Sequence, residues 1–208
     1  MKTNKILEVL DYYYPNPQCE LHYHSDYELL MAIVLSAQST DKRVNQVTSI
    51  LFQKYPSLEA LKVANREDLE KIIHPVGSFR KKAEYIQEIA KILCEKYQGI
   101  VPQDREELIQ FPGVGRKTSN VFLSEYYHYP AIGVDTHVER VSKRLGLAYS
   151  KDDVLTIERK LMKKFPKEKW ATLHLQMVLF GRYHCKAMKP ECKNCLLLEI
   201  CHEKKKNL

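Results

Sequence analysis

Four cysteines near the C-terminus have the most distinctive spacing of any reactive side chains in this sequence. Cys185, Cys192, Cys195 and Cys201 are separated by six, two and five residues. Four thiolates on one short loop suit either tetrahedral zinc or a cubane iron–sulfur cluster. Zinc sites usually contain two CxxC pairs, whereas this loop has one CxxC flanked by single cysteines, and that arrangement favours a cluster. The N-terminal segment turns polar too soon for a secretory signal, so disulfides are not expected.

A Pro-Gly-Val-Gly turn at residues 112–115 is a second candidate site. One helix is expected to end before it and another to begin after it, with free N–H groups and the positive end of the helix dipole forming an anion site. The glycines would let the backbone approach this anion closely. The expected anion is a DNA phosphate. The residues that would meet it are Gly113, Gly115, Arg116 and Thr118. On these grounds alone Lys117 is a further phosphate contact, and a plain helix connection is an equal alternative.

Asp135 lies at the start of a third segment that could take part in chemistry. Apolar residues at helical spacing follow it, and Gly146 is expected to end the helix that it opens. Asn65 and Ser150 are expected to cap other helices, and Asp41 is a good cap for a helix over residues 42–55. The whole chain shows helical periodicity without strand-like alternation, which predicts an all-α fold of about ten short helices.

Composition and charge narrow the class of protein. Hydrophobic residues make up 44 % and charged residues 28 % of the 208, which is typical of a globular protein rather than a disordered one. No apolar run approaches the ~20 residues of a membrane span, and we expect a cytoplasmic protein. The net charge is +7, and residues 181–208 hold seven Lys and Arg against three Glu. This balance favours a polyanionic partner.

The turn and the residues after it resemble the helix–hairpin–helix of DNA glycosylases of the endonuclease III family. Further segments resemble that family in the same order: residues 35–41 (Leu-Ser-Ala-Gln-Ser-Thr-Asp), 134–137 (Val-Asp-Thr-His) and 180–183 (Phe-Gly-Arg-Tyr), the last leading into the cysteines. The cysteine spacing is similar to the family's 4Fe-4S loop. The resemblance implies that Lys117 is the nucleophile, that Asp135 is the second catalytic residue and that the four cysteines bind a 4Fe-4S cluster.

The same resemblance implies an architecture and a substrate. Two helical lobes would surround a cleft, one lobe over residues 23–133 with the hairpin and the other joining 1–22 to 134–208 with the cluster. Lys117 and Asp135 would face each other across that cleft. The implied partner is double-stranded DNA with oxidised or ring-saturated pyrimidines or abasic sites. The implied enzyme is a monomeric glycosylase whose lyase activity nicks the DNA strand. It would be associated with the nucleoid.

Several DNA contacts follow from the resemblance alone. Gln38 would fill the gap left by a flipped base, and Asp41 would line the base pocket. The family commonly has a bulky apolar wedge after the glycine of the next loop, where this chain has Ser78. Phe79 is then expected to take over as the wedge, and the competing view is that it packs into the core beneath the loop. Lys189 would project from the cysteine loop toward DNA, and residues 80–82 (Arg-Lys-Lys) would hold their loop on the backbone.

Two rival functions remain open at this point. One is a monofunctional glycosylase of the adenine DNA glycosylase type, against which Lys117 and the lack of a C-terminal domain for reading the opposite base both count. The other is a non-catalytic DNA-binding or redox-sensing protein, which would have no need of both Lys117 and Asp135.

Overall fold

The computed structural model describes residues 2–208, and all regular secondary structure in that range is helical. This confirms the all-α prediction. The α-helices of the described residues are α1 (Lys2–Tyr13), α2 (Asp26–Ser36), α3 (Asp41–Lys54), α4 (Leu58–Lys62), α5 (Arg66–Ile73), α6 (Phe79–Lys96), α7 (Arg105–Leu108), α8 (Arg116–Tyr127), α9 (Thr136–Arg144), α10 (Val154–Lys164) and α11 (Trp170–Leu179). A π-helical turn follows at Phe180–His184, and short 3-10 turns lie at Lys167–Lys169 and Leu198–Ile200. None of the described helices is long and apolar enough to cross a bilayer.

The chain divides into two compact units. The central unit is Cys19–Tyr127 and contains α2 to α8; the terminal unit joins the residues up to Gln18 with His128–Leu208 and contains α1 and α9 to α11. The sequence placed the boundaries at residues 23 and 133. The shifts follow from packing, because Leu21 lies in the core of the central unit and Ile132 lies in the core of the terminal unit.

The core of the central unit is built around α2. The Ser25 side chain caps this helix by accepting a hydrogen bond from the Glu28 N–H, and every residue from Leu29 to Leu35 is buried. A helix that is apolar on all sides must be surrounded. Helix α6 supplies one of the surrounding surfaces through the buried stripe Ala83, Ile86, Ile89, Ala90 and Leu93.

The core of the terminal unit depends on the N-terminal helix. Ile6, Val9 and Leu10 of α1 are buried in the same cluster as residues of α9, α10 and α11. The amide of Gln176 in α11 donates to the Asp11 carboxylate at 2.7 Å and to the Tyr14 carbonyl at 3.0 Å. Apolar burial and these polar contacts fix α1 to the C-terminal part of the chain.

The helix caps confirm some of the sequence predictions and correct others. Asn65 and Asp135 cap α5 and α9 as predicted. Helix α3 is capped by Thr40, whose side chain accepts from the Arg43 N–H, so Asp41 is the first residue inside the helix. Helix α10 is capped by Asp153 rather than by Ser150. Adjacent polar residues compete for one capping position, and the sequence alone does not rank them.

Candidate active site and nucleic-acid interface

The glycine turn before α8 has one crowded and one open glycine. Gly113 has a φ of +77°, and an added Cβ would lie 2.6 Å from the Tyr85 ring of α6, so this position requires glycine for both backbone and packing reasons. A Cβ on Gly115 would meet nothing within 4 Å. The turn is therefore anchored to the central unit at Gly113 and open toward solvent at Gly115, which leaves room for a ligand against the backbone.

Helix α8 begins directly after the open glycine. The first helical hydrogen bond runs from the Ser119 N–H to the Gly115 carbonyl at 2.9 Å, so the preceding N–H groups have no acceptor within the helix. Arg116 and Lys117 are exposed in this first turn, and Thr118 is half-buried. The arrangement combines N–H donors outside the helical hydrogen-bond pattern, the positive end of the helix dipole and cationic side chains, which together suit an anion.

Asp135 is held at the start of α9 by its own helix. One carboxylate oxygen, Oδ1, accepts hydrogen bonds from the N–H groups of His137 at 2.9 Å and Val138 at 2.8 Å. Val134 and Val138 on either side are buried in the terminal core, whereas the Asp135 side chain is half-exposed. These contacts fix the orientation of the carboxylate and leave Oδ2 outside the cap.

The π-helical turn after α11 packs directly on the start of α9. An added Cβ on Gly181 would lie 2.8 Å from the Cβ of His137, so only glycine fits at this crossing. Arg140 of α9 donates to the Gly181 carbonyl at 2.6 Å and, through Nε, to the Cys185 carbonyl at 2.9 Å. Burial lowers the pKa of His137, which favours the neutral imidazole at this contact.

The four cysteines predicted to bind a metal group line one cavity. Cys185, Cys192, Cys195 and Cys201 share it with apolar residues that include Phe180 and Leu197. Among residues 2–208, no three His, Cys, Asp or Glu side chains converge on a position suited to a single metal ion. Burial raises the pKa of the Cys185 thiol, and the neighbouring Arg144 guanidinium acts in the opposite direction.

Arg144 connects the end of α9 to this cysteine loop at several points. Its guanidinium donates to the Lys186 carbonyl at 2.7 Å and to the Cys185 sulfur at 3.3 Å, and it pairs with Glu203 at 2.9 Å. The Arg144 carbonyl accepts from the His202 N–H at 2.7 Å. Helix α9 therefore carries Asp135 at one end and supports the cysteine loop at the other.

Three of the predicted DNA contacts that are not glycines have left-handed backbones. Gln38, Ser78 and Lys189 have φ values of +56°, +56° and +48°, and all three are exposed. This conformation is uncommon outside glycine, costs free energy and tends to occur at functional sites. Gln38 follows α2 and Ser78 precedes α6, and we call these two exposed residues the paired tips.

Phe79 and Asp41 follow the paired tips in the chain, one residue after Ser78 and three residues after Gln38. Phe79 is the first residue of α6, is half-buried against the central core and has its ring centroid 4.6 Å from that of His74. The Arg80 guanidinium lies 5.1 Å from the same centroid. These contacts favour the competing view, in which Phe79 packs, over the expected role as a wedge. Asp41 is half-exposed in the first turn of α3, two residues beyond Ser39.

Three residues have roles in the structure that were not predicted from the sequence. Arg140 and Arg144 support the cysteine loop, and nothing local in the sequence distinguishes them from surface arginines. Lys82 was expected to contact the DNA backbone, yet it is only 5 % exposed. A signal was present in this case, because Lys82 precedes Ile86 by four residues and so continues the apolar stripe of α6.

Comparison with known proteins agrees with this geometry. Residues 31–167 match the HhH-GPD superfamily of base excision DNA repair proteins. The chain is 50 % identical to endonuclease III of Bacillus subtilis over 193 residues, covering 93 % of this chain and 88 % of the relative. A solved non-covalent endonuclease III–DNA complex is 48 % identical with a TM-score of 0.94, covering 98 % and 96 % of the two chains. A trapped covalent endonuclease III–DNA intermediate has a TM-score of 0.92 at 48 % identity, covering 97 % and 96 %.

These matches extend across both units. The superfamily match covers the glycine turn, Lys117 and Asp135, and the likeness to endonuclease III continues through the cysteine loop. Identity of this level over nearly the whole chain leaves no large segment outside the shared fold. The chain therefore belongs to the endonuclease III family within the HhH-GPD superfamily of base excision DNA repair proteins.

Proposed function

We propose that this protein removes damaged bases, chiefly oxidised or ring-saturated pyrimidines, from double-stranded DNA and then cleaves the strand at the abasic site. The observation that carries the proposal is Lys117, an exposed amine in the first turn of α8 beside a glycine with open space in front of it. The high identity to endonuclease III over both units supports it. Its target would be chromosomal DNA in the cytoplasm, and it would act as a monomer.

Lys117 is the proposed nucleophile. The target nucleotide leaves the base stack, because C1′ is inaccessible within the duplex. The neutral amine forms a bond to C1′ as the glycosidic bond breaks, and the base departs with the bonding electrons and takes up the proton that the amine releases. Opening of the C1′–O4′ bond then gives a Schiff base. Loss of the C2′ proton breaks the C3′–O bond, which releases the 3′-phosphate and cuts the strand.

Asp135 is the proposed electrostatic partner of this reaction. Positive charge develops on the sugar as the base departs, and a fixed carboxylate stabilises that charge without reorganising. The two N–H donors on Oδ1 supply the fixed orientation that this role needs. Oδ2 is then the oxygen proposed to face the sugar.

The remaining predicted residues are proposed to position the DNA. Gly113, Gly115, Arg116 and Thr118 would bind a phosphate at the α8 terminus, and Lys189 would add a contact from the cysteine loop. These contacts would supply affinity without sequence preference. Gln38 would occupy the space of the flipped base, and Asp41 would line its pocket.

We propose that the four cysteines hold a 4Fe-4S cluster. Four thiols line one cavity, and one CxxC flanked by single cysteines favours a polynuclear group over the two CxxC pairs usual for zinc. The thiolates of Cys185, Cys192, Cys195 and Cys201 would hold the cluster, and these bonds would fix the fold of the loop over residues 185–201. Arg140 and Arg144 would hold this loop to α9 and place positive charge beside the thiolates.

Borohydride trapping on a duplex with one abasic site tests the proposed reaction. The reagent reduces a Schiff base to a stable amine, so a covalent protein–DNA adduct of one-to-one composition is expected. Peptide mapping should locate the adduct at Lys117. Base release without any adduct would instead favour the monofunctional rival, and DNA binding without base release would favour the non-catalytic one.

The cluster proposal predicts a metal content. Protein purified anaerobically should be yellow-brown and contain about four irons per chain. Cys192→Ser should lower the iron content and the yield of soluble protein. Cys94→Ser is the matched control, since Cys94 lies on α6 outside the cysteine loop, and it should leave iron unchanged. Zinc in place of iron in the anaerobic wild-type protein would contradict the proposal.

Ser78 and Phe79 give a prediction about the opposite strand. Ser78→Leu should tighten binding to lesion-containing duplex several-fold, because an aliphatic side chain on an exposed tip recovers part of the stacking lost by the unpaired base. Phe79→Ala should lower the melting temperature and change binding to damaged and undamaged duplex equally, because the ring packs on the core and on His74. Selective loss of lesion binding at an unchanged melting temperature would instead identify Phe79 as the wedge.

A further inference from the structure

Lys82 is a buried cation bonded to main-chain carbonyls. Its ammonium donates to the carbonyl oxygen of Leu35 at 2.8 Å and to that of Ala37 at 2.6 Å. The Leu35 carbonyl belongs to the last turn of α2, where carbonyls lack partners within the helix. The negative end of the helix dipole at this point also stabilises a cation. Lys82 of α6 therefore caps the C-terminal end of α2 with its ammonium group.

The choice of lysine here is not explained by core packing. Taking an ammonium out of water is costly, and burial lowers the pKa of Lys82 for that reason. An apolar side chain of similar length would fill the same space without this cost. The two hydrogen bonds to carbonyls must therefore have a role beyond filling space in the core. They fix the backbone that leads into Gln38.

Both paired tips are tied to Lys82. The Ala37 carbonyl that it binds belongs to the peptide bond entering Gln38, and its own main-chain N–H donates to the Ser78 carbonyl at 3.1 Å. A second link joins the loops nearby, where the Gly77 N–H donates to the Ser39 hydroxyl at 3.2 Å. Since left-handed backbones at both tips carry strain, they persist only where neighbouring contacts hold them.

We propose that Lys82 is a positioning residue that holds Gln38 and Ser78 at a fixed separation, so that both tips enter the duplex together around the flipped nucleotide. This inference rests on the proposed function. Lys82 itself does not touch DNA, because it is only 5 % exposed. Its contribution is to preorganise the two loops before binding, which removes the cost of ordering them on the DNA.

Lys82→Met tests the proposal by removing the ammonium while keeping the length of the side chain. The measured quantities are affinity for lesion-containing duplex, affinity for undamaged duplex, and fluorescence of 2-aminopurine placed opposite the lesion. We expect the ratio of the two affinities to fall by roughly tenfold, which is close to the lower end of the range for one charged hydrogen bond. The fluorescence increase that reports unstacking should shrink. Affinity for undamaged duplex and borohydride trapping at saturating enzyme should remain.

Three further variants separate positioning from general stability. Lys91→Met makes the same change at an exposed site of the same helix and should alter nothing. Ser39→Ala removes the second link at the surface and should lower the affinity ratio with an unchanged melting temperature. If Lys82 acts through Gln38, then Lys82→Met combined with Gln38→Ala should lower the ratio no further than Gln38→Ala alone.

The following results would contradict the positioning role of Lys82. An unchanged affinity ratio in Lys82→Met, or full additivity in the double variant, would reduce Lys82 to a stability residue. Should Lys82→Met fail to fold, Ser39→Ala decides, and an unchanged ratio there contradicts the proposal. Failure of the proposed function is a separate result, because it would appear as absent trapping by the wild-type protein.

Discussion

Lys117→Gln is expected to abolish strand cleavage and covalent trapping while most of the affinity for duplex DNA remains. Glutamine has no nucleophilic nitrogen, so the route through a Schiff base is closed. We expect cleavage of an abasic-site duplex to slow by at least about 10³-fold, as is common when the nucleophile of a covalent mechanism is removed. Binding should weaken only slightly, because one charge among several phosphate contacts is lost.

The measurement is single-turnover cleavage together with borohydride trapping and a binding isotherm at two salt concentrations. Arg116→Gln is the matched control, because it removes the adjacent exposed charge of the same helical turn. That variant should bind less tightly yet still form the trapped adduct at saturating concentration. A persistent adduct in Lys117→Gln would remove Lys117 from its proposed role.

Asp135→Asn is expected to slow base release by about 10²-fold or more, because a preorganised charge beside a developing cation is lost. This substitution separates the two roles open to Asp135. Asparagine caps helices as well as aspartate does, so the two hydrogen bonds to α9 should survive and the melting temperature should not change. Single-turnover release of the damaged base measures the effect.

Asp153→Asn supplies the control for that experiment. Asp153 caps α10 in the same unit through a bond from the Thr156 N–H at 2.8 Å, so it makes the same kind of cap outside the proposed site. Its replacement should leave both base release and stability unchanged. If Asp135→Asn also leaves base release unchanged, the Asp135 carboxylate serves only as a cap.

Features encoded in neighbouring residues could be predicted from the sequence. The glycine turn, the capping aspartate before α9 and the cysteine spacing each depend on a few consecutive side chains and on backbone rules that hold in any helical protein. The structure accordingly has a turn at Gly113 and a cap at Asp135. Where several capping residues are adjacent, as at Ser39 to Asp41, the geometry of the preceding loop decides between them.

Features that depend on contacts distant in the chain could not be predicted. The spacing of Lys82 to Ile86 indicates burial, but its partners, the Leu35 and Ala37 carbonyls more than 40 residues earlier, are not indicated by the sequence. The sequence likewise does not indicate that the Phe79 ring contacts His74 and the central core. In both cases the side chain's role is set by partners that its own helix does not supply.

The dependence of α1 on the C-terminal part of the chain has a consequence for the order of events during synthesis. Asp11 and its partner Gln176 are 165 residues apart, which corresponds to roughly 10–30 s of chain synthesis. The central unit is continuous in sequence and is complete long before that partner emerges. Ile6, Val9 and Leu10 of α1 therefore lack the part of their core that α11 supplies until that helix has left the ribosome.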